Sequence, residues 1–206
     1  MATQIAVFGL GYVGCVSASC LAHLGHEVIG VDRDLFKVHA VNEGKAPFHE
    51  PGLDQLVAEG VKNNRLSATS SALEILDRVE IAFVCVGTPS QKNGNVSLEQ
   101  VKRVIADLAE AMSGRTRPLI VAVRSTVFPG TCEREILPAL LHHSCCEVVS
   151  NPEFLREGAA IRDFMEPSLL VIGGHNRTAA ERVADVYKSL PVSPCIVSLR
   201  TAEMIK

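Results

Sequence analysis

The sequence of 206 residues contains no run of lysine or arginine, and its formal net charge is −3. Nucleic acids and anionic membrane surfaces attract clustered positive charge, so this composition argues against either as a partner. An anionic substrate would have to be met by a local basic pocket.

Long hydrophobic runs are also missing. No segment reaches the ~18 consecutive apolar residues of a membrane-spanning helix. The first residues, MATQIAVFGL, lack the basic flank and apolar stretch of a signal peptide. We therefore expect no membrane partner and a cytoplasmic location.

The seven cysteines include no Cys-x-x-Cys pair, and most of them lie in apolar runs. This pattern favours reduced thiols that pack as small hydrophobic side chains. The segment HHSCC (142–146) is the one place where zinc deserves consideration. Neighbouring residues on a short loop rarely converge on one ion, and no second cluster completes a ligand set. We expect no metal site.

Apolar, β-rich segments alternate along the chain with amphipathic ones, a pattern typical of βαβ units and a parallel sheet covered on both faces. The sequence predicts an α/β fold, a Rossmann-type doubly wound, mostly parallel sheet with helices on both faces. The predicted strands are QIAVFG, EVIGVD, EIAFVCV, PLIVAVR, EVVS, SLLVIGG and PCIVSL. The predicted helices are YVGCVSASCLAHLG, DLFKVHAVNEG, LDQLVAEGVKN, LEQVKRVIADLAEAM and TAAERVADVYKSL.

The segment GLGYVG (9–14) follows the first predicted strand and opens the first predicted helix. In that context the G-x-G-x-x-G spacing indicates a dinucleotide site. Gly9 would permit the turn, Gly11 would let the backbone approach a pyrophosphate, and Gly14 would let helix and strand pack closely. The helix start, with Tyr12 and Val13, would offer backbone NH groups to the phosphates. A purely structural glycine turn is the alternative.

Asp32 ends the next predicted strand, eighteen residues beyond Gly14. A carboxylate there accepts a hydrogen bond from the ribose 2′-OH of NAD and repels the 2′-phosphate of NADP. The sequence thus favours NAD as cofactor. Arg33 keeps NADP open, because an arginine at that place could accommodate the phosphate.

Three loops follow predicted strands with small or polar residues: VCVGTPS, VRSTVFPGT and VVSNPEFLREG. The carboxyl ends of strands in an open α/β sheet are where ligands bind. Thr88, Ser125, Thr126, Asn151 and Glu153 would therefore meet at one rim. Each loop taken alone could equally be an ordinary turn.

The segment NPEFLREG reads as the start of a helix. Glu153 and Glu157, four residues apart, would then lie on one helix face. Two acids there could simply favour a helix N-terminus through its dipole.

Six motifs in this order, GLGYVG, HEPGL, VGTPSQKNG, RSTVFPGT, NPEFLREG and AEMIK, resemble the nucleotide-sugar 6-dehydrogenases of the UDP-glucose and GDP-mannose dehydrogenase family. The resemblance spans the whole chain and is closer to the GDP-mannose branch. It implies oxidation of a sugar C6 alcohol to an acid by two hydride transfers to NAD, through a cysteine thioester that water hydrolyses.

The resemblance also implies roles for individual residues. Glu153 matches the family glutamate that activates the hydrolytic water, Thr126 the residue that positions this water, and Lys206 the lysine that stabilises oxyanion charge at C6. Glu157 matches a position near the nicotinamide-side ribose. Phe154, Leu155 and Arg156 match a segment whose backbone lines the sugar pocket. Glu153 and Lys206 are thus expected in both catalysis and substrate binding, and Thr88 and Thr126 beside the cofactor.

The family's catalytic cysteine lies in a glycine-rich Cys-x-Pro-Lys-Asp motif that this sequence does not contain. We therefore expect an NAD-binding Rossmann domain over 1–199 and the first turn of a truncated central helix over 200–206, its apolar face uncovered. The central and carboxyl-terminal domains would be absent, the chain alone inactive, and the complete enzyme a homodimer or larger. Two alternatives are a β-hydroxyacid dehydrogenase, which shares the first motif, and a non-catalytic NAD-binding regulatory module.

Overall fold

The computed structural model describes residues 2–92, 94–140 and 145–206, which form one eight-stranded sheet with helices on both faces. The strands are β1 (Gln4–Phe8), β2 (Glu27–Val31), β3 (Leu66–Thr69), β4 (Ile81–Val84), β5 (Leu119–Val123), β6 (Cys146–Ser150), β7 (Leu170–Gly174) and β8 (Pro194–Val197). The helices are α1 (Tyr12–His23), α2 (Leu35–Asn42), α3 (Leu53–Lys62), α4 (Glu99–Ala111), α5 (Leu137–Leu140), α6 (Ala160–Met165), α7 (Arg177–Asp185) and α8 (Leu199–Ile205). A 3-10 turn covers Leu76–Arg78, and a π-helical turn over Cys132–Ile136 leads into α5.

The strand order is β3-β2-β1-β4-β5-β6-β7-β8. All neighbouring strands are parallel except β6 and β7, which run antiparallel. From β1 the chain adds β2 and β3 on one side and then β4 to β8 on the other, so the strand order reverses between β1 and β4. An open α/β sheet binds its ligands at such a point, beyond the carboxyl ends of the strands. The predicted fold class is confirmed.

The core consists of two layers, one on each face of the sheet. In β1, Ile5 and Val7 pack against one layer, whereas Ala6 and Phe8 pack against the other. Successive side chains of a strand point to opposite faces, so a strand covered on both faces must be apolar at nearly every position. This explains why the predicted strands read as continuous apolar runs.

The sequence patterns missed β3 at the sheet edge. Its four residues, LSAT, contain one fully buried apolar side chain, Leu66, and too little β-branched character to stand out. Helix α7 ends at Asp185, although the apolar pattern continues to Leu190. Tyr187 and Leu190 lie in the turns that follow α7, and both side chains are buried. The apolar pattern therefore continues beyond the end of the helix.

Helix α8 begins at Leu199, one residue earlier than expected, and runs for seven residues rather than about one turn. Ser198 caps it by accepting a hydrogen bond from the backbone NH of Thr201. Leu199 and Ala202 are buried against the sheet, contrary to the expected lack of cover, while Met204 stays 69% exposed. The division into 1–199 and 200–206 remains a prediction.

Within the described part of the chain, no helix combines the length and the apolar character needed to cross a membrane.

Candidate functional site

A cleft of about 870 Å³ lies at the carboxyl ends of β1, β2 and β4. The segment GLGYVG forms its floor together with the end of β2, and α4 forms one wall. The charged lining residues are Asp32, Arg33, Asp34, Lys37, Glu99, Arg103, Asp107 and Glu110. Their mixed charges suit a ligand that has both phosphate and hydroxyl groups.

The three glycines of GLGYVG are each required for a different reason. Gly9 has a φ of +94°, a left-handed conformation that side chains disfavour. A Cβ on Gly14 would lie 1.7 Å from the carbonyl oxygen of Gly9, so only glycine lets α1 approach this closely. A Cβ on Gly11 would meet no protein atom within 4 Å and would project into open space. The backbone at Gly11 is therefore accessible to a ligand.

Helix α1 starts directly above this opening. The backbone NH groups of Tyr12, Val13 and Gly14 precede the first helical hydrogen bond, which the amide of Cys15 donates to the carbonyl of Gly11 at 2.9 Å. Such amides and the helix dipole favour an anion at the N-terminus. The accessible backbone at Gly11 and the backbone NH groups at the start of α1 together form a site that fits the pyrophosphate of a dinucleotide.

Asp32 lies at the end of β2 with its side chain only 13% exposed. Its carboxylate accepts hydrogen bonds from the backbone NH groups of Leu10, at 2.6 Å, and Asp34, at 2.9 Å. Lys37 approaches the same carboxylate at 3.5 Å. These contacts fix the carboxylate beside the glycine segment, where a ribose hydroxyl could donate to its remaining lone pairs.

A second group of polar residues lies at the same edge of the sheet. The Lys206 ammonium donates hydrogen bonds to the carboxylate of Glu153 at 2.7 Å and to its backbone carbonyl at 2.6 Å. The other carboxylate oxygen of Glu153 accepts from the backbone NH of Leu155 at 2.7 Å. The ammonium also lies 5.5 Å from the centre of the Phe154 ring. Residues 53 positions apart thus form one mostly buried acid–lysine pair.

The three rim loops meet as predicted. The hydroxyl of Thr88 donates to the backbone carbonyl of Thr126 at 2.7 Å, which joins the loops after β4 and β5. The buried Arg124 guanidinium donates to the Asn151 side-chain oxygen at 3.0 Å, which joins the loops after β5 and β6. The side chain of Thr126 itself is exposed at the rim.

Glu50, in the HEPGL turn, connects the glycine segment to the loop that carries Glu153. Its buried carboxylate accepts hydrogen bonds from the Tyr12 hydroxyl at 2.5 Å and from the backbone NH groups of Gly158 and Ala160 at 2.8 and 2.9 Å. Burial alone would raise the pKa of Glu50, but these three donors together lower it. Burial and the bond to Glu50 raise the pKa of Tyr12 to about 12.

Comparison with known proteins tests the resemblance that the motifs suggested. Residues 3–191 match the model of the UDP-glucose/GDP-mannose dehydrogenase family, NAD binding domain. The chain belongs to this family. The predicted family is thereby confirmed, and the part of it that this chain represents is the NAD-binding domain.

Among curated family members, a GDP-mannose 6-dehydrogenase of Azotobacter vinelandii is 42% identical over 98% of this chain and 48% of its own length. A UDP-glucose 6-dehydrogenase of Rhizobium meliloti is 40% identical over the same shares. The crystal structure of a GDP-mannose dehydrogenase ternary complex from Pseudomonas aeruginosa superimposes with a TM-score of 0.96 at 38% identity, covering 99% of this chain and 48% of that one. The chain spans about half the length of these relatives.

The expected helix at NPEFLREG is wrong. Residues 151–156 have no regular secondary structure, and α6 begins only at Ala160. The carboxylate of Glu153 binds the backbone NH of Leu155, which competes with helix formation, and Gly158 has a left-handed φ of +80°. Glu153 is buried while Glu157 is exposed, so the two acids do not share a helix face.

The expected sugar-pocket segment Phe154–Arg156 is partly engaged within the protein. The backbone NH of Arg156 and its guanidinium both bind Asp163, with the closest contact at 2.7 Å. Because the amide of Leu155 binds Glu153, two backbone donors of this segment already have protein acceptors. The half-buried Phe154 ring, whose centre is 5.5 Å from the Lys206 ammonium, lies beside the acid–lysine pair.

The cysteines behave largely as their spacing and apolar surroundings predicted. Cys15, Cys20, Cys85 and Cys132 are buried, whereas Cys195 is exposed and departs from the expected core role. Burial raises the pKa of Cys85 to about 12 and also raises that of Cys132, so neither rim thiol is a ready nucleophile. Part of HHSCC, residues 142–144, lies outside the described residues; those described contain no metal-binding cluster.

Three site residues escaped sequence analysis. Glu50 could have been found, because it lies in HEPGL, one of the six motifs that carry the family resemblance. Asp107 and Lys37 gave no signal, since neither belongs to a recognisable motif in α4 and α2, the helices that carry them. Only the tertiary structure shows that these two side chains face the cleft.

Proposed function

We propose that this chain is the NAD-binding part of a nucleotide-sugar 6-dehydrogenase that oxidises the C6 alcohol of GDP-mannose to the uronic acid in two NAD-dependent steps. The observation that carries the proposal is the Glu153–Lys206 pair, at 2.7 Å, on the same sheet edge as the dinucleotide cleft. A domain that only bound dinucleotide would have no use for a mostly buried acid–lysine pair there. This argues against a regulatory module.

Each residue would have a distinct task. Bound NAD would supply the hydride acceptor. The Lys206 ammonium would stabilise negative charge on the C6 oxygen, a role that suits a compact cation in a partly dry site. The Glu153 carboxylate would accept a proton from the hydrolytic water, and Thr126 would position that water. Glu157, which is exposed at the rim, would contact the nicotinamide-side ribose.

UDP-glucose is the second candidate substrate, since a UDP-glucose 6-dehydrogenase is nearly as similar as the GDP-mannose enzymes. The proposal also includes a cysteine nucleophile from outside these 206 residues, because none of the seven cysteines has the family's Cys-x-Pro-Lys-Asp neighbours. We further propose that the complete enzyme is cytoplasmic and forms a homodimer or a larger oligomer.

The test is an NADH-formation assay in two proteins. This chain alone, given NAD with GDP-mannose or UDP-glucose, should bind NAD but produce no sustained NADH. A protein that continues through the family's cysteine motif should form two NADH per sugar nucleotide and show which substrate is preferred. Turnover by this chain alone, at the rate of a full-length family member, would contradict the proposal.

A further inference from the structure

Asp32 and Arg33, adjacent residues of opposite charge, lie in the cleft just beyond the end of β2. Asp32 disfavours a 2′-phosphate, whereas Arg33 offers a planar guanidinium that binds phosphate well. Both line the same cleft. The sequence alone therefore favours NAD through Asp32 but leaves NADP open through Arg33.

The structure shows where the guanidinium of Arg33 goes. Its Nη2 atom donates to both carboxylate oxygens of Asp107, each at 2.9 Å. Asp107 lies on α4 and lines the same cleft from the opposite wall. The second nearby cation, Lys37, is held by Asp32 itself at 3.5 Å. Each of these two cations is thus paired with an acid of the cleft.

We infer that Asp107 is a specificity-determining residue for the cofactor: it holds Arg33 away from the position of a ribose 2′-phosphate and so favours NAD over NADP. This inference rests on the proposed dinucleotide binding. A 2′-phosphate must displace Asp107 to recruit Arg33, whereas a free 2′-OH needs only Asp32. The pair is partly exposed, with side chains 61% and 38% accessible, so its effect is that of a surface ion pair.

The experiment measures NAD and NADP affinities by titration calorimetry at fixed ionic strength. Asp107→Asn should strengthen NADP binding about two- to fivefold and leave NAD binding unchanged, the size expected for release of a surface pair. NAD should remain preferred, because Asp32 is retained. The gain should disappear when Asp107→Asn is combined with Arg33→Ala, because the freed guanidinium is its source.

Glu110→Gln is the matched control, because Glu110 also lies on α4, lines the cleft and loses the same charge. An equal NADP gain in Glu110→Gln, or a gain from Asp107→Asn that survives Arg33→Ala, would show a general charge effect and overturn the inference. NADP preference in the unmodified protein would overturn it too. If the folded protein binds neither dinucleotide, the proposed NAD binding itself fails.

Discussion

The carboxylate of Glu203 accepts a hydrogen bond from the backbone NH of Cys132 at 2.7 Å. It also accepts from the backbone NH of Gly130, so one buried acid on α8 caps the turn that follows β5. Lys206 lies three residues further along the chain and reaches Glu153. The contact with Cys132 therefore fixes α8, and through it the acid–lysine pair, to the rest of the sheet edge.

Removing the Glu203 carboxylate should destabilise the protein. Glu203→Ala leaves two buried NH groups without an acceptor, and we expect the free energy of unfolding to fall by about 2–4 kcal/mol. Glu133→Gln is the control, because Glu133 lies in the same turn but pairs with Arg200 and His175, whose side chains are mostly exposed. It should cost less than about 1 kcal/mol. Urea denaturation gives both values, and equal losses would contradict the assigned role.

Two glycines of the cleft should respond in opposite ways to alanine. Gly14→Ala places a Cβ 1.7 Å from the Gly9 carbonyl, so it should lower the free energy of unfolding by about 1–3 kcal/mol. Gly11→Ala meets no protein atom and should change stability by less than about 1 kcal/mol, yet it should weaken NAD binding at least tenfold by obstructing the pyrophosphate. Unfolding curves and calorimetric titration separate the two effects. Full NAD affinity in Gly11→Ala would place the pyrophosphate elsewhere.

The two acids of NPEFLREG should affect different kinetic constants in the full-length enzyme. Glu153→Gln removes the proposed general base and should lower kcat about 10²- to 10⁴-fold. Glu157→Gln, at the exposed rim, should raise KM for NAD and largely retain kcat. Steady-state kinetics with varied NAD decide this. A similar fall in kcat for both variants would indicate that each acid only maintains the structure of the NPEFLREG loop.

His26 should make stability depend on pH. Its Nδ1 accepts from the backbone NH of Thr3 and its Nε2 contacts the carbonyl of Val186, which requires a neutral ring. Burial lowers the pKa of His26. Its contribution is thus complete above the unfolded pKa of about 6.5 and is lost as pH falls through the lower folded value. The free energy of unfolding should decline below about pH 6.5, and His26→Gln should flatten that decline. An identical decline in the variant would exclude His26 as its cause.

Thiol reactivity should follow burial. Burial raises the pKa of Cys15, Cys20 and Cys85 to about 12, so these thiols should resist a disulfide reagent at neutral pH until the protein unfolds. Cys195 is exposed and should react in the folded state. Mass spectrometry of labelled peptides identifies the sites, with Cys195→Ser as control. Rapid labelling of Cys85 in the folded protein would reopen its role as a nucleophile.

Sequence patterns predicted much of the fold because the causes are local. Continuous apolar strands, helical periodicity and the missing Cβ of Gly9 and Gly14 each act within a few residues. The edge strand β3 was missed because one buried leucine is too weak a signal. The helix expected at NPEFLREG was wrong because a hydrogen bond from the amide of Leu155 to Glu153, two residues away, replaced helical bonding.

The sequence by itself determined the alternation of strands and helices, the dinucleotide segment with Asp32, and the family. Only the tertiary structure decided the partners of the charged side chains. Lys206 meets Glu153 across 53 residues, and Arg33 meets Asp107 across 74. Local propensity carries no information about such pairs, because their distance depends on how the sheet orders its strands. The glycine segment GLGYVG can thus be read from local sequence, whereas the ion pairs around it depend on long-range packing.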